Sequence, residues 1–416
     1  MRILYECFTA CPGEGSENGN GWNIPLAMAL RGHQVRVIYG NQRNGYPARI
    51  QAELERQGPA IAAANGSLEY WLTPLPRWQP WVKPGFLRAQ VGYHAWIRQS
   101  VPALASQITA FAPDVCHHLT LGSLQGGSSL PLLCQAPFIH GPCGGGQMAP
   151  WRMIPGLGAG IPWEVIRNVL AWISGLGLIR PIGLNKAKLV LVSNSDTKRC
   201  AERMGASQVR ITIDAMLPND FRPPELPHRD WQAPILEVLW IAQLLPRKSV
   251  LLAVEALERL GPNPGMHLRI VGGGAEEQRL RKRLATSSAR EHITVVGKIP
   301  FAQVTEEYRR SHIFFFTSIR DSFGVQLLEA QCWGLPIIAF DLHGCHDHLD
   351  ARCGRLVPAN QGAEGLATAL RNLAQDRQAL EAMSTFNHAI SAERTLDGQI
   401  PQFEKIYMDC LGDTPR

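Results

Sequence analysis

Apolar positions fall along the chain in short blocks separated by glycine-rich or helix-periodic stretches. RILYECF at 2–8 is followed by PGEGSENGNG, then the helix-periodic WNIPLAMALRG, then QVRVIYG at 34–40. That order predicts a β-loop-α-β unit in which Gly32 stops the helix. PDVCHHLT, APFIHGP and LVLVSN repeat the short apolar theme. Such runs fit parallel strands covered on both faces. Beyond residue 234 the pattern recurs as ILEVLWIAQL, HLRIVGG, ITVVG, IFFFTS and PIIAFD, with SVLLAVEALERL and AEEQRLRKRLA between them. Two successive series of β and α predict an α/β protein of two doubly wound, Rossmann-like domains facing each other across a cleft.

Prolines 218, 223, 224, 227 and 234 crowd a stretch without apolar periodicity, which reads as the linker. The expected division is 1–215, 216–394, and a helical piece at 395–416 that crosses back onto the first domain. A length of 416 residues suits two cores of ordinary size.

Composition narrows the function. The net charge of +6 suits phosphate-bearing ligands or an anionic membrane surface, and no nucleic-acid-reading motif accompanies it. The ten cysteines form no CxxC pair and lie mostly in apolar runs, so they read as buried thiols, with no zinc spacing. The opening MRILYECF reads as a strand, and the most apolar stretch, 161–184, is interrupted by Glu164, Arg167 and Arg180. A cytoplasmic protein without a spanning helix is expected. Trp71, Arg77, Trp78, Trp81, Lys83, Phe86, Arg88 and Trp96 suit either a peripheral contact at the inner face of a membrane or packing of a long loop.

The chemistry concentrates at 313–349, IFFFTSIRDSFGVQLLEAQCWGLPIIAFDLHGCHDHL. A strand ends near Ser318, a loop carries Asp321 and Gly324, a helix starts near Val325, and Gly334-Leu335-Pro336 stops it. The amides from Phe323 to Gln326 then point at whatever lies above the strand end, a place that favours phosphate or a polar sugar. Asp321 and Glu329 can accept hydrogen bonds from ligand hydroxyls. The plainer reading is a helix cap with one satisfied carboxylate.

This segment resembles the signature of the glycosyl transferase group 1 enzymes, also called glycosyltransferase family 4, which are retaining enzymes of the GT-B fold. Asp321, Glu329, Ala330, Gly334, Leu335, Pro336, Ile337, Ile338 and Ala339 carry the resemblance. It implies that Glu329 holds the nucleotide ribose, that Asp321 contacts the transferred sugar, and that Ser322, Phe323, Gly324 and Val325 meet sugar or phosphate. Residues 238–257 resemble the family's G-R-L-x-x-x-K-G unit, with Lys248 at the lysine and Ala242, Gln243 and Ser249 replacing Gly, Arg and Gly. Lys248, with Arg247 beside it, would neutralise a diphosphate whose charge grows as it leaves. Gly272 to Gly274 resemble the family's glycine turn, with Gly273 as a donor contact; a tight turn is the plainer alternative.

In the first domain Gly13, Glu14, Gly15, Ser16, Glu17 and Asn18 resemble the family's first glycine-rich loop, implied to lie near the acceptor. PFIHGPCGGGQMAP resembles a segment in which a histidine stands near the reacting sugar; Cys143 occupies that place, with His140 three residues earlier. His117 and His118 read as core histidines. The resemblance thus implies a hexosyltransferase-type enzyme moving a sugar from a nucleoside-diphosphate sugar to a hydroxyl of a glycan, lipid-linked or small-molecule acceptor. Neither cofactor nor metal is expected. A non-catalytic sugar-nucleotide-binding protein and a nucleotide-sugar epimerase are the alternatives, and a Rossmann dehydrogenase fits poorly.

Overall fold

The computed structural model describes residues 1–40, 45–75 and 86–412. Its chain divides into two compact units. One holds Met1–Gly146, Ala171–Met216 and the residues from Leu396; the other holds Gln147–Leu170 and Leu217–Thr395.

The first unit is built on β1 (Arg2–Cys7), β2 (Gln34–Gly40), β3 (Ser67–Thr73), β4 (Val115–Thr120), β5 (Phe138–Cys143), β6 (Leu189–Val192) and β7 (Val209–Ile211). They form one parallel sheet in the order β3-β2-β1-β4-β5-β6-β7. Strand alternation sends Ile3, Tyr5 and Cys7 of β1 into one hydrophobic cluster and Leu4 into another, so both faces of the sheet are covered. The helix Leu396–Gly412 completes the first of these clusters with Ile400, Phe403, Ile406 and Tyr407.

The second unit carries β8 (Leu236–Ile241), β9 (Met266–Val271), β10 (Ile293–Gly297), β11 (Ile313–Phe316), β12 (Ile337–Phe340) and β13 (Gly354–Val357). Their order is β10-β9-β8-β11-β12-β13, again parallel throughout. In each unit the winding reverses at one place, between β1 and β4 and between β8 and β11. Loops at the carboxyl ends of strands flanking such a reversal splay apart and leave a crevice for a ligand.

Two differences from the sequence reading have physical causes. The first helix begins at Ser16, so Gly19 and Gly21 lie inside it rather than in a loop. They are glycines because a Cβ at Gly21 would run into the Thr9 carbonyl oxygen and one at Gly19 into that of Glu14. Close approach, and not positive φ, is what they supply. β3, β7 and β13 had no clear apolar signal, because they are short or lie at or beside sheet edges, where burial is partial. Of the two readings of the aromatic stretch, its described part fits packing: Tyr93 and Trp96 are fully buried, and Trp71 packs edge-on against Phe111. Arg77, Trp78, Trp81 and Lys83, and the side chains of Phe86 and Arg88, lie outside the described residues. Among the described residues no helix is long and apolar enough to cross a membrane.

Candidate functional site

The two loops beside the reversal in the second sheet carry the expected charged residues. After β8 the chain passes Ala242 and Gln243 into a tight turn, Pro246–Lys248, and then into the helix Val250–Glu258. After β11 it runs through Thr317 to Gly324 into the helix Val325–Cys332. The loops are stitched together. Ile319 donates its N–H to the Arg247 carbonyl at 2.9 Å, and the Thr317 hydroxyl lies 3.0 Å from the Lys248 carbonyl oxygen. The same hydroxyl receives the Trp240 indole N–H at 2.9 Å, which ties the turn to the core.

This stitching brings three of the expected residues into one cluster. The Lys248 ammonium forms a buried ion pair and hydrogen bond with Asp321, and an Arg247 guanidinium nitrogen stands 3.3 Å from the same carboxylate oxygen. Lys248 also lies over the Phe316 ring, 4.9 Å from its centre, and 3.5 Å from the Gln326 side-chain oxygen. Burial alone would raise the Asp321 pKa, but the Lys248 and Arg247 charges and the Lys248 hydrogen bond together hold it below its ordinary value. Burial lowers that of Lys248, with Asp321 opposing the shift. The carboxylate is therefore engaged by cations before any ligand arrives.

Glu329 lies one turn into the 325–332 helix and is buried. It accepts a hydrogen bond from the Tyr308 hydroxyl at 2.6 Å, and burial raises its pKa. A buried carboxylate of this kind gains from further hydroxyl donors. Gly324 has φ of 104°, and a Cβ there would press on the Phe316 ring at 2.8 Å. Phe323 is buried against His348, with ring centres 4.9 Å apart. No acidic side chain stands in the first turn of the 325–332 helix, so its amide end keeps its partial positive charge. Gln243 is exposed, and Gly273 accepts the Leu244 N–H at 3.0 Å between Gly272 and Gly274, whose φ values are 137° and 153°.

Sequence reasoning missed how this site is braced. Residues Ile154–Gly160 pack on the Pro246–Lys248 turn, and Glu164 forms a buried ion pair with Arg320, the neighbour of Asp321. The Arg167 pKa is pushed down to about 10, first by burial and then by the Arg320 charge. A lone acid within an apolar stretch was the available signal, since a buried carboxylate demands a cation. Gly344 was also missed. A Cβ there would collide with the Ser322 carbonyl oxygen, so the 321–324 loop rests directly on the 343–348 backbone.

In the first unit the expected loop is well tied. Gly13 has φ of 69°, Gly15 precedes the 16–29 helix, and Glu14 pairs with Arg49 at 2.9 Å. Glu17 accepts the Gly122 N–H at 2.8 Å, and burial raises its pKa. The Ser16 side chain lies outside the described residues. Cys143 is buried, with its thiol 3.5 Å from the Leu191 carbonyl oxygen, and burial pushes its pKa up. It packs in the core, and so does His140. His118 Nδ1 meets Glu6 Oε2 at 2.7 Å and its ring stacks on that of His140 at 4.7 Å. His117 bonds the Tyr407 hydroxyl at 2.7 Å. The four side chains of Glu6, His117, His118 and His140 are fully buried.

Comparison with known proteins bears on the fold and on the segment that carries these loops. A family described as glycosyl transferases group 1 matches residues 234–388, which include both loops of the cluster. An exopolysaccharide phosphotransferase of Streptomyces coelicolor is 28% identical over 242 residues, covering 55% of this chain and 24% of that protein. A phosphatidyl-myo-inositol mannosyltransferase of Mycolicibacterium smegmatis is 31% identical over 136 residues, 32% of this chain and 34% of its own length. The chain thus spans about a quarter to a third of the length of these curated relatives. The crystal structure of Anabaena HepE in complex with UDP superposes with a TM-score of 0.63 at 16% identity, covering 98% of this chain and 100% of that one. The two doubly wound sheets are therefore those of the GT-B fold, and residues 234–388 match the group 1 glycosyl transferases.

Proposed function

We propose that the protein is a retaining glycosyltransferase that moves a hexose from a nucleoside-diphosphate sugar to a hydroxyl of a glycan, lipid-linked or small-molecule acceptor. The observation that carries this reading is the pairing of Lys248 and Arg247 with Asp321 at the sheet reversal, beside the amide end of the 325–332 helix. The UDP in the Anabaena structure and the mannosyl transfer named for the mycobacterial relative support it.

The diphosphate binds over the cations and the helix amides, and Glu329 receives ribose hydroxyls. As the bond from the sugar C1 to the diphosphate oxygen breaks, negative charge grows on that oxygen. Lys248 and Arg247 stabilise it, with no metal called for. The acceptor oxygen forms its bond to C1 on the same face, and its proton passes to the departing phosphate. Asp321 holds the two cations in register and contacts the sugar from the same loop.

A thermal-shift series with UDP-, GDP-, ADP- and dTDP-sugars identifies the donor, because a ligand bound only by the folded state raises its apparent stability. Release of nucleoside diphosphate that depends on an added acceptor is then the expected result. Donor binding without such release over a broad acceptor panel would favour a non-catalytic sugar-nucleotide-binding protein, the reading suggested by Gln243 in place of arginine.

A further inference from the structure

The helix Ile161–Gly175 turns apolar side chains outward as well as inward. On its inward side Ile161 and Val165 pack on the core, Glu164 is paired with Arg320, and Asn168 exchanges two hydrogen bonds with the Ala149 backbone, at 2.9 and 2.8 Å. Its outward positions are large and apolar. Trp163 is 57% exposed, and Ile166, Val169 and Leu170 are exposed beside it at helical spacing. Met148 and Trp151, from the preceding turn of the same unit, are exposed too. Among the described residues fifteen large apolar side chains are exposed, and nine of them fall between Met148 and Leu178. Scattered exposed leucines need no explanation, but this concentration on one short stretch does.

Charge selects among the surfaces that could cover it. From Gln147 to Ile182 the chain has three arginines, Arg152, Arg167 and Arg180, and one acid, Glu164. That acid is buried in its ion pair, so no negative side chain of the stretch reaches the surface, while Arg152, in the same unit as Trp163, is exposed. A second copy docked face to face would set like charges against like. An anionic lipid surface complements both properties, since tryptophans settle at headgroup depth and arginines meet lipid phosphates.

We infer that the outer face of residues 161–170, with Trp151 and Arg152 of the same unit, is a docking surface for an anionic bilayer. The inference stands apart from the transfer reaction, since none of these side chains belongs to the Lys248–Asp321 cluster.

The test is co-sedimentation of the full chain with vesicles of phosphatidylcholine alone and of phosphatidylcholine mixed with phosphatidylglycerol. The wild type is expected to bind the anionic vesicles and to release them at high salt. Trp163→Ala with Ile166→Ala is expected to lower partitioning by about tenfold or more, at an unchanged melting temperature and unchanged turnover of a soluble acceptor. Arg152→Glu should weaken binding to the anionic vesicles alone. The inference is overturned if the wild type ignores both vesicles or if the double variant binds as well as the wild type. It is equally overturned if sedimentation velocity shows a dimer that the double variant abolishes.

Discussion

At the scale of single residues, the decisive fact is that Lys248, Arg247 and Asp321 share one carboxylate oxygen. Lys248→Ala should lower turnover by roughly two to three orders of magnitude, the usual effect of removing one group that meets developing charge. Arg247 still neutralises Asp321 there, so melting temperature should change much less than rate. Asp321 also makes a pH prediction. Its folded-state pKa lies below the ordinary 3.8, so its ionised form stabilises the fold. That contribution is complete above about pH 4 and fades as pH falls through the lowered value. Urea unfolding of wild type and Asp321→Asn should therefore show a gap at pH 6 that narrows towards pH 3; a constant gap would contradict the pairing. Lys248, Asp321 and Glu329 stood out in the sequence because each lies at a strand end or helix start inside a segment that resembles the family pattern. Their partners were not, because Lys248 and Asp321 are 73 positions apart and nothing in either local pattern specifies the other.

At the scale of elements, the site depends on how loops are held. Ser249, where the family pattern has glycine, sits at φ 50° and ψ 48°, a left-handed conformation unfavourable for a residue with a Cβ. Ser249→Gly should raise stability by about 1 kcal/mol, read as an increase in the urea midpoint. Glu164→Ala acts oppositely, leaving the Arg320 guanidinium buried beside Asp321 without its counter-charge. A loss of about 3–5 kcal/mol is expected, measured by equilibrium unfolding, with weaker donor binding in thermal-shift titrations. Most strands and the 325–332 helix could be read from apolar runs and stop signals. The start of the first helix could not, since glycine ordinarily argues against a helix, and only the closeness of the Thr9 and Glu14 carbonyls explains Gly19 and Gly21.

At the scale of the whole molecule, the fold class was legible because alternating β and α blocks leave few other architectures. The grouping of Gln147–Leu170 with the second unit was not, because it is decided by Arg320 and the Pro246–Lys248 turn, far along the chain. The first unit is also discontinuous. The Tyr407 hydroxyl lies 2.9 Å from that of Tyr5 and 2.7 Å from His117 Nδ1, and Glu404 meets Arg31 at 2.6 Å. Removing the residues from Leu396 should unfold the first unit and leave the second sheet intact, a result that hydrogen exchange resolves by segment. Discontinuity also bears on assembly at the ribosome. The earlier half waits for Tyr407 and its helix, while the later half waits for Leu366, Leu370, Leu373, Leu380 and Met383 just before it, so both cores close only when these late helices are made.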